Sequence, residues 1–295
     1  MKKNILTSML LAFLIVPMFV IASGYKPFIL ASNAGSTVEE AAAMVTSKLK
    51  AADIEVIGQY SPYADGSAII IGSTTKKLKH IATRTKKGGF GAVIRVAITK
   101  NGSNIEVSFV NPEYMGYAYH MGSLSSVTKQ YVKALGKKKT FGSKPRSKSK
   151  LEDFHYMMFM PYFKDHKVAA DLGYQSQALD RIDRAIKSGK TDVKEVWRLK
   201  LSETKTIIAV QLSGGKWGGK MKDIMGILDV SSPRGTAALP WEFLVEKGKM
   251  IYLPGKFRIA VMFPDLTMGT FMKIGDIPDD MDETAMTVVK VAKKM

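Results

Sequence analysis

The sequence predicts an α+β fold made of two related halves, and three observations carry the prediction. Helical and strand-like apolar periods follow one another in the order helix, strand, strand, helix, strand, strand, and that order occurs twice. The stretch GGFGAVIRVAITKNGSNIEVSFVNPEYMGYAYHMG, from Gly88 to Gly122, has a counterpart in GTAALPWEFLVEKGKMIYLPGKFRIAVMFPDLTMGTFMKIG, from Gly235 to Gly275. Both pass through an Asn-Gly or Lys-Gly turn to a corner of Pro, acid, Met and Gly: Pro112, Glu113, Met115 and Gly116 in one, Pro264, Asp265, Met268 and Gly269 in the other. The expected result is a pseudo-symmetric body with mixed or antiparallel sheets. Its parts are a leader over residues 1–22, a first α/β repeat over 23–128, a basic linker with a Met/aromatic bridge over 129–165, and a second repeat over 166–295.

The elements follow in order. Tyr25 to Ala34 is a short apolar lead-in. Ser36 or Thr37 offers an N-cap, Glu39 and Glu40 suit a first turn, and the spacing of Val38, Ala41, Ala42, Val45 and Leu49 predicts a helix to Ala52. Strands are expected over Ile54–Gln59 and Ala68–Ile71, a basic amphipathic helix over Thr74–Thr85, and the repeated element after the glycines at 88–91. In the second half a helix is expected over Gln175–Lys187, strands over Glu195–Leu201 and Thr206–Leu212, and a short helix over Met221–Leu228. The insertion Leu253-Pro254-Gly255-Lys256 is expected to split the last strand into a hairpin or bulge. Alternation then puts Phe257, Ile259, Val261 and Phe263 on one strand face, with Arg258, Ala260 and Met262 on the other. Lys129 to Lys150 holds nine Lys or Arg and no acid, which suits an exposed linker. Phe154 to Phe163 has no clean period and reads as an irregular buried bridge. The tail from Asp279 starts acidic and ends in lysines, as a helix dipole prefers.

Composition narrows the chemistry. Lys2 and Lys3 precede an uncharged apolar run from Ile5 to Ala22 that closes on small residues, the order of a secretory signal peptide. A retained membrane anchor is the alternative; Pro17 and the small residues favour cleavage. The expected location is therefore periplasmic or secreted. The absence of any Cys excludes disulfides, thiolate nucleophiles and Cys-based zinc sites. Net charge is +18, or +16 once Lys2 and Lys3 are removed, and this favours anionic partners or simply solubility. Nucleic acid is not an expected partner, because the basic segment lacks regular aromatic interleaving.

No phosphate-loop, zincin or hydrolase-elbow motif is present. Gly214 to Lys220 is glycine-rich ahead of a helix, but lacks phosphate-loop spacing. It reads first as a flexible turn and second as an anion site. Charges within apolar segments are the stronger ligand-binding signal: Arg95, Glu242 and Arg258, with Glu113 and Asp265 at the matched corners. A buried Arg paired with an acid can clamp a ligand; the bland alternative is an arginine on a solvated face, with turn or helix-start roles for the two corner acids. His120, Met121, His155, Met158 and Met160 combine imidazole and thioether, which suits copper or a haem axial position, although methionines more often fill core gaps.

The segments GGFGAVIRVAIT, VSFVNPEYMGYAY, FHYMMFMPYF and KFRIAVMFPDLTMGTFMKI resemble an uncharacterised family of exported bacterial proteins. The element order is distantly similar to the domain-of-unknown-function family three-zero-two, whose members pair a helix with a short mixed sheet. The resemblance implies export and a repeated α/β unit, and brings no catalytic residue. The functional expectation is an envelope binding or accessory protein. It would hold an anionic or apolar small ligand, an anionic envelope component or a periplasmic protein partner between the repeats, with peripheral membrane contact. The alternatives are a haem or copper carrier, and an enzyme with an Arg/acid site.

Overall fold

Thr37 begins the first helix, α1 (Val38–Ala51): its hydroxyl accepts the Glu40 N–H at 3.1 Å, Glu39 and Glu40 occupy the first turn, and Lys48 and Lys50 the last. Val38, Ala41, Ala42, Val45 and Leu49 are all buried, as their spacing requires. The computed structural model describes residues 24–31, 35–217, 219–230 and 232–295. The leader expected over 1–22 lies outside the described residues, and among them no helix is long and apolar enough to cross a membrane.

The first half continues with β2 (Glu55–Tyr60), β3 (Ala68–Thr74), α2 (Lys76–Arg84), β4 (Ile94–Asn101), β5 (Asn104–Val110) and α3 (Pro112–Ala118); a short strand, β1 (Phe28–Leu30), precedes α1. The second half has β7 (Lys167–Asp171), α6 (Gln175–Lys187), β8 (Val193–Ser202), β9 (Lys205–Leu212), α7 (Met221–Leu228), β10 (Trp241–Glu246), β11 (Lys249–Tyr252) and α8 (Gly255–Met262), then α9 (Met268–Lys273) and α10 (Ile277–Ala292). Among the described residues the fold is α+β with two sheets, and every strand pairing is antiparallel, so the mixed arrangement is set aside. The first sheet runs β2-β3-β4-β5-β1 and adds β6 (Lys139–Phe141) outside β1; the second runs β8-β9-β10-β11-β7. Strand for strand the two orders coincide.

Four sequence expectations are corrected. Residues 154–163 are not a buried bridge: only Phe154 and Phe163 are buried, and Met157, Met158 and Phe159 are exposed. The basic segment is not a plain linker: it contains most of α4 (Ser125–Leu135), then β6 and α5 (Lys148–Glu152). Residues 257–263 are not a strand. Pro254 caps a helix there, and seven of the eight residues of α8 are buried, so an apolar run with two-residue alternation packs as a core helix apolar on nearly every side. The matched corners also fall at different places. Pro112 opens α3 directly after β5, whereas the proline directly after β11 is Pro254; Pro264 lies one helix later.

The halves join through close approaches that only small residues permit. Trp197 of β8 lies over Gly58 and Gly72 of the first sheet, where a Cβ on Gly72 would stand 2.7 Å from the indole. Tyr60 meets the same indole edge-on at 5.6 Å. A 3-10 turn at Gly88–Gly91 packs on β9 and β10, and a second one at Thr236–Ala238 packs on β4 and β5, so each half inserts its turn into the other's sheet. Gly89 in the first turn has no room for a Cβ beside Leu244. Tyr114 of α3 donates to the Val261 carbonyl of α8 at 2.8 Å. Glu246 bridges Lys87 and Lys205, and Lys205 also donates to the carbonyls of Thr83 and Thr85.

Candidate ligand-binding site

Arg95 is the second residue of β4, opposite Gly72 on β3, and Glu242 is the second residue of β10, opposite Ala209 on β9. Small cross-strand neighbours leave room for two long charged side chains within the core. They meet there at 2.9 Å, Arg95 Nη1 to Glu242 Oε1, with relative exposures of 0% and 2%. Arg95 also donates from Nε to the Ala237 carbonyl at 2.8 Å and lies 3.8 Å from the Met262 sulfur.

Arg258 on α8 completes the cluster. Its Nη2 donates to the carbonyls of Ala238 and Pro240, so both arginines grip the turn that leads into β10. Its Nε stands 3.8 Å from Glu242 Oε2, too far for a hydrogen bond, and both atoms are buried with no hydrogen-bond partner among the described residues. Two guanidinium groups therefore face one carboxylate. Burial, and next the charge of Arg95, push the Arg258 guanidinium below its ordinary value, while arginine remains protonated. Tyr119 and Tyr60 stand close enough to feel these charges; burial raises both phenols, so each is neutral and supplies no balancing charge.

Beside Arg258 lies a cavity of about 60 Å³ whose wall is almost wholly apolar. α7, α8, the start of α10 and the strands β9 and β10 line it, and Tyr60 and Pro62 reach in from the first half. Met221, Met225, Met262 and Met281 line it, side chains that adapt to a guest. Among the described residues Arg258 is the one charged residue in the lining, and Trp241, also in the wall, has its indole N–H buried with no hydrogen-bond partner among them. The site is thus an apolar chamber with Arg258 and Trp241 among the residues of its wall.

Of the five residues expected to bind a ligand, Arg95, Glu242 and Arg258 come together. Glu113 and Asp265 do not join them. Glu113 is in the first turn of α3, its N–H held by the Asn111 side chain and its carboxylate near Ser123. Asp265 pairs with Arg146 at 2.9 Å and accepts the Lys144 N–H, pinning the basic segment to the second half. The imidazole and thioether residues do not form one ligand set either. His120 Nε2 contacts the Glu152 carbonyl at 2.7 Å, Met121 is packed against Gly91, and His155 lies on the Tyr162 ring. Met158 is exposed and Met160 half-buried. Among the described residues no group of three or more His, Asp or Glu could hold a metal ion. At the glycine-rich turn before α7 a carboxylate already stands: a Cβ on Gly215 would meet Asp192, which argues against an anion there.

Sequence reasoning missed Trp241, Tyr119 and the methionines of the wall. Trp241 is adjacent to Glu242, and a Trp beside a core acid was the available signal. Comparison with known protein families, curated proteins and solved structures found no match.

Proposed function

We propose that the protein binds a compact amphipathic acid, its apolar body in the methionine-lined cavity and its anionic head at Arg258. The observation that carries this reading is the charge imbalance: two buried guanidiniums share one carboxylate next to a cavity with no other charge in its wall among the described residues. An uncompensated charge in a low-dielectric interior is costly, and a ligand anion would offset it. A carboxylate head would also give the unpaired Trp241 N–H an acceptor. The shared strand order of the two sheets supports reading the chain as two related units, with the ligand near their join and mainly on the second. The signal-like leader supports an exported protein.

Trp217 and Trp241 both line the cavity, so their fluorescence reports on filling. Titration with straight-chain carboxylic acids of increasing length should give saturable changes with an optimum length. The matched alcohols should bind at least about tenfold more weakly, because they leave the charge uncompensated. Arg258→Met should remove the preference for acids. Equal binding of acids and alcohols, or no binding of either, would show the reading to be wrong.

A further inference from the structure

The loop after α5 and the helix α9 present apolar side chains to solvent on adjoining ground. Phe159 is 97% exposed and Met158 75%, while Met268 and Met272, one turn apart on α9, are exposed beside them in the fold. The two segments are joined: Tyr156 stacks on Phe271 at 5.5 Å and donates to the Leu266 carbonyl. No residue of α9 is buried, so this helix lies on the surface with its methionines outward. Phe159 has φ +68°, a left-handed backbone that a bulky residue rarely adopts; here it stands at the tip of an exposed loop.

The segment that carries this loop is mainly basic, although Asp165 and Asp276 are exposed close to the loop and to α9. Residues 129–164 carry ten Lys or Arg against Glu152 and Asp153. Of those two acids, Glu152 already pairs with Lys148. Lys150 precedes the loop, Lys164 follows it and lies over the Tyr162 ring, and Lys273 ends α9. Bulky apolar groups at the tip of a mainly basic segment match the boundary of an anionic bilayer: methionine and phenylalanine enter the acyl region and lysines meet the headgroups. A soluble partner with a purely acidic surface would leave Phe159 and Met158 without apolar cover.

We propose that this face, centred on Met158, Phe159 and Met272, docks on an anionic lipid surface. α9 packs against α7, whose residues wall the cavity, so the docked face adjoins the proposed binding chamber without depending on it.

The chain has no cysteine, so one introduced cysteine carries one label. Met157→Cys, in the full chain and bearing an environment-sensitive fluorophore, keeps Met158 and Phe159 in place. A label at Glu203→Cys, in the β8–β9 turn, is the control for attachment through any other part of the chain. On phosphatidylglycerol vesicles the label at 157 should shift to the blue and the label at 203 should not. Neutral phosphatidylcholine vesicles should give at least about tenfold weaker binding, and added salt should weaken the anionic case. Phe159→Asp should remove the shift at 157. Vesicle attachment with no shift at 157, an equal shift at 203, or equal binding to neutral vesicles would each overturn the proposal. None of these readouts uses the acid titration, so either proposal can fail alone.

Discussion

Arg95 and Glu242 occupy the same place in the two halves, each the second residue of a strand that follows a 3-10 turn, and they meet at 2.9 Å where the halves join. The pair is buried on every side, and each partner's own sheet supplies the small residue that makes room for it. Removing one partner from such a pair leaves an uncompensated charge, whereas removing both with apolar replacements can be close to neutral.

Glu242→Gln should therefore destabilise the fold by about 3–5 kcal/mol, because it leaves Arg95 and Arg258 facing each other across a neutral amide. The double change Arg95→Met with Glu242→Leu should cost less than Glu242→Gln alone. Urea unfolding of the three chains checks both expectations. A double variant clearly worse than the single one would mean that the pair itself stabilises the join, rather than each group merely neutralising the other.

A second join depends on shape alone. Trp197 rests on Gly58 and Gly72, and its indole leaves no space for a Cβ at 72. Gly72→Ala should destabilise by about 1–3 kcal/mol through overpacking. In a Trp197→Ala background, itself destabilising by about 3–5 kcal/mol through the cavity left behind, the same Gly72→Ala should be nearly silent. Additive effects of the two changes, measured as midpoints of thermal unfolding, would place the strain at Gly72 somewhere other than this contact.

How much of this was legible in the sequence depends on the range of the interaction. Elements with an apolar period and local caps were readable: α1 starts at Thr37 and α6 covers residues 175–187, as the spacing predicts. Arg95, Glu242 and Arg258 were readable as suspects because a charge inside an apolar run must find a partner. Their meeting was not readable, since Arg95 and Glu242 lie 147 residues apart and only the docking of the two sheets decides it. The strand reading of residues 257–263 failed for a local reason. A short apolar run carries no period that separates a core helix from a strand, and Leu253-Pro254-Gly255-Lys256, expected to form a hairpin or bulge, holds a helix start instead. The three-residue β1 is too short to show alternation and is set by its partners β5 and β6.

The third join should make stability depend on pH. Burial alone would raise the Glu246 carboxyl, but hydrogen bonds and charge from Lys87 and Lys205 outweigh it and hold the group below its ordinary 4.5. A carboxylate with a depressed folded value contributes stability that is complete above 4.5 and is lost as pH falls through the lower folded value. His166 acts in the same direction. Burial, and next the Lys87 charge, lower its imidazole from 6.5, and its Nδ1 is buried with no hydrogen-bond partner among the described residues, so the fold disfavours its protonation at acid pH. The chain should lose stability as pH drops below 6.5, and lose it faster below 4.5. Glu246→Gln should be less stable than the unaltered chain at neutral pH, with a gap that narrows as pH falls below 4.5. Urea midpoints measured across that range decide the matter: a gap of constant size would mean that the carboxylate's charge contributes nothing at this join, and that Lys205 is held by the carbonyls of Thr83 and Thr85 instead.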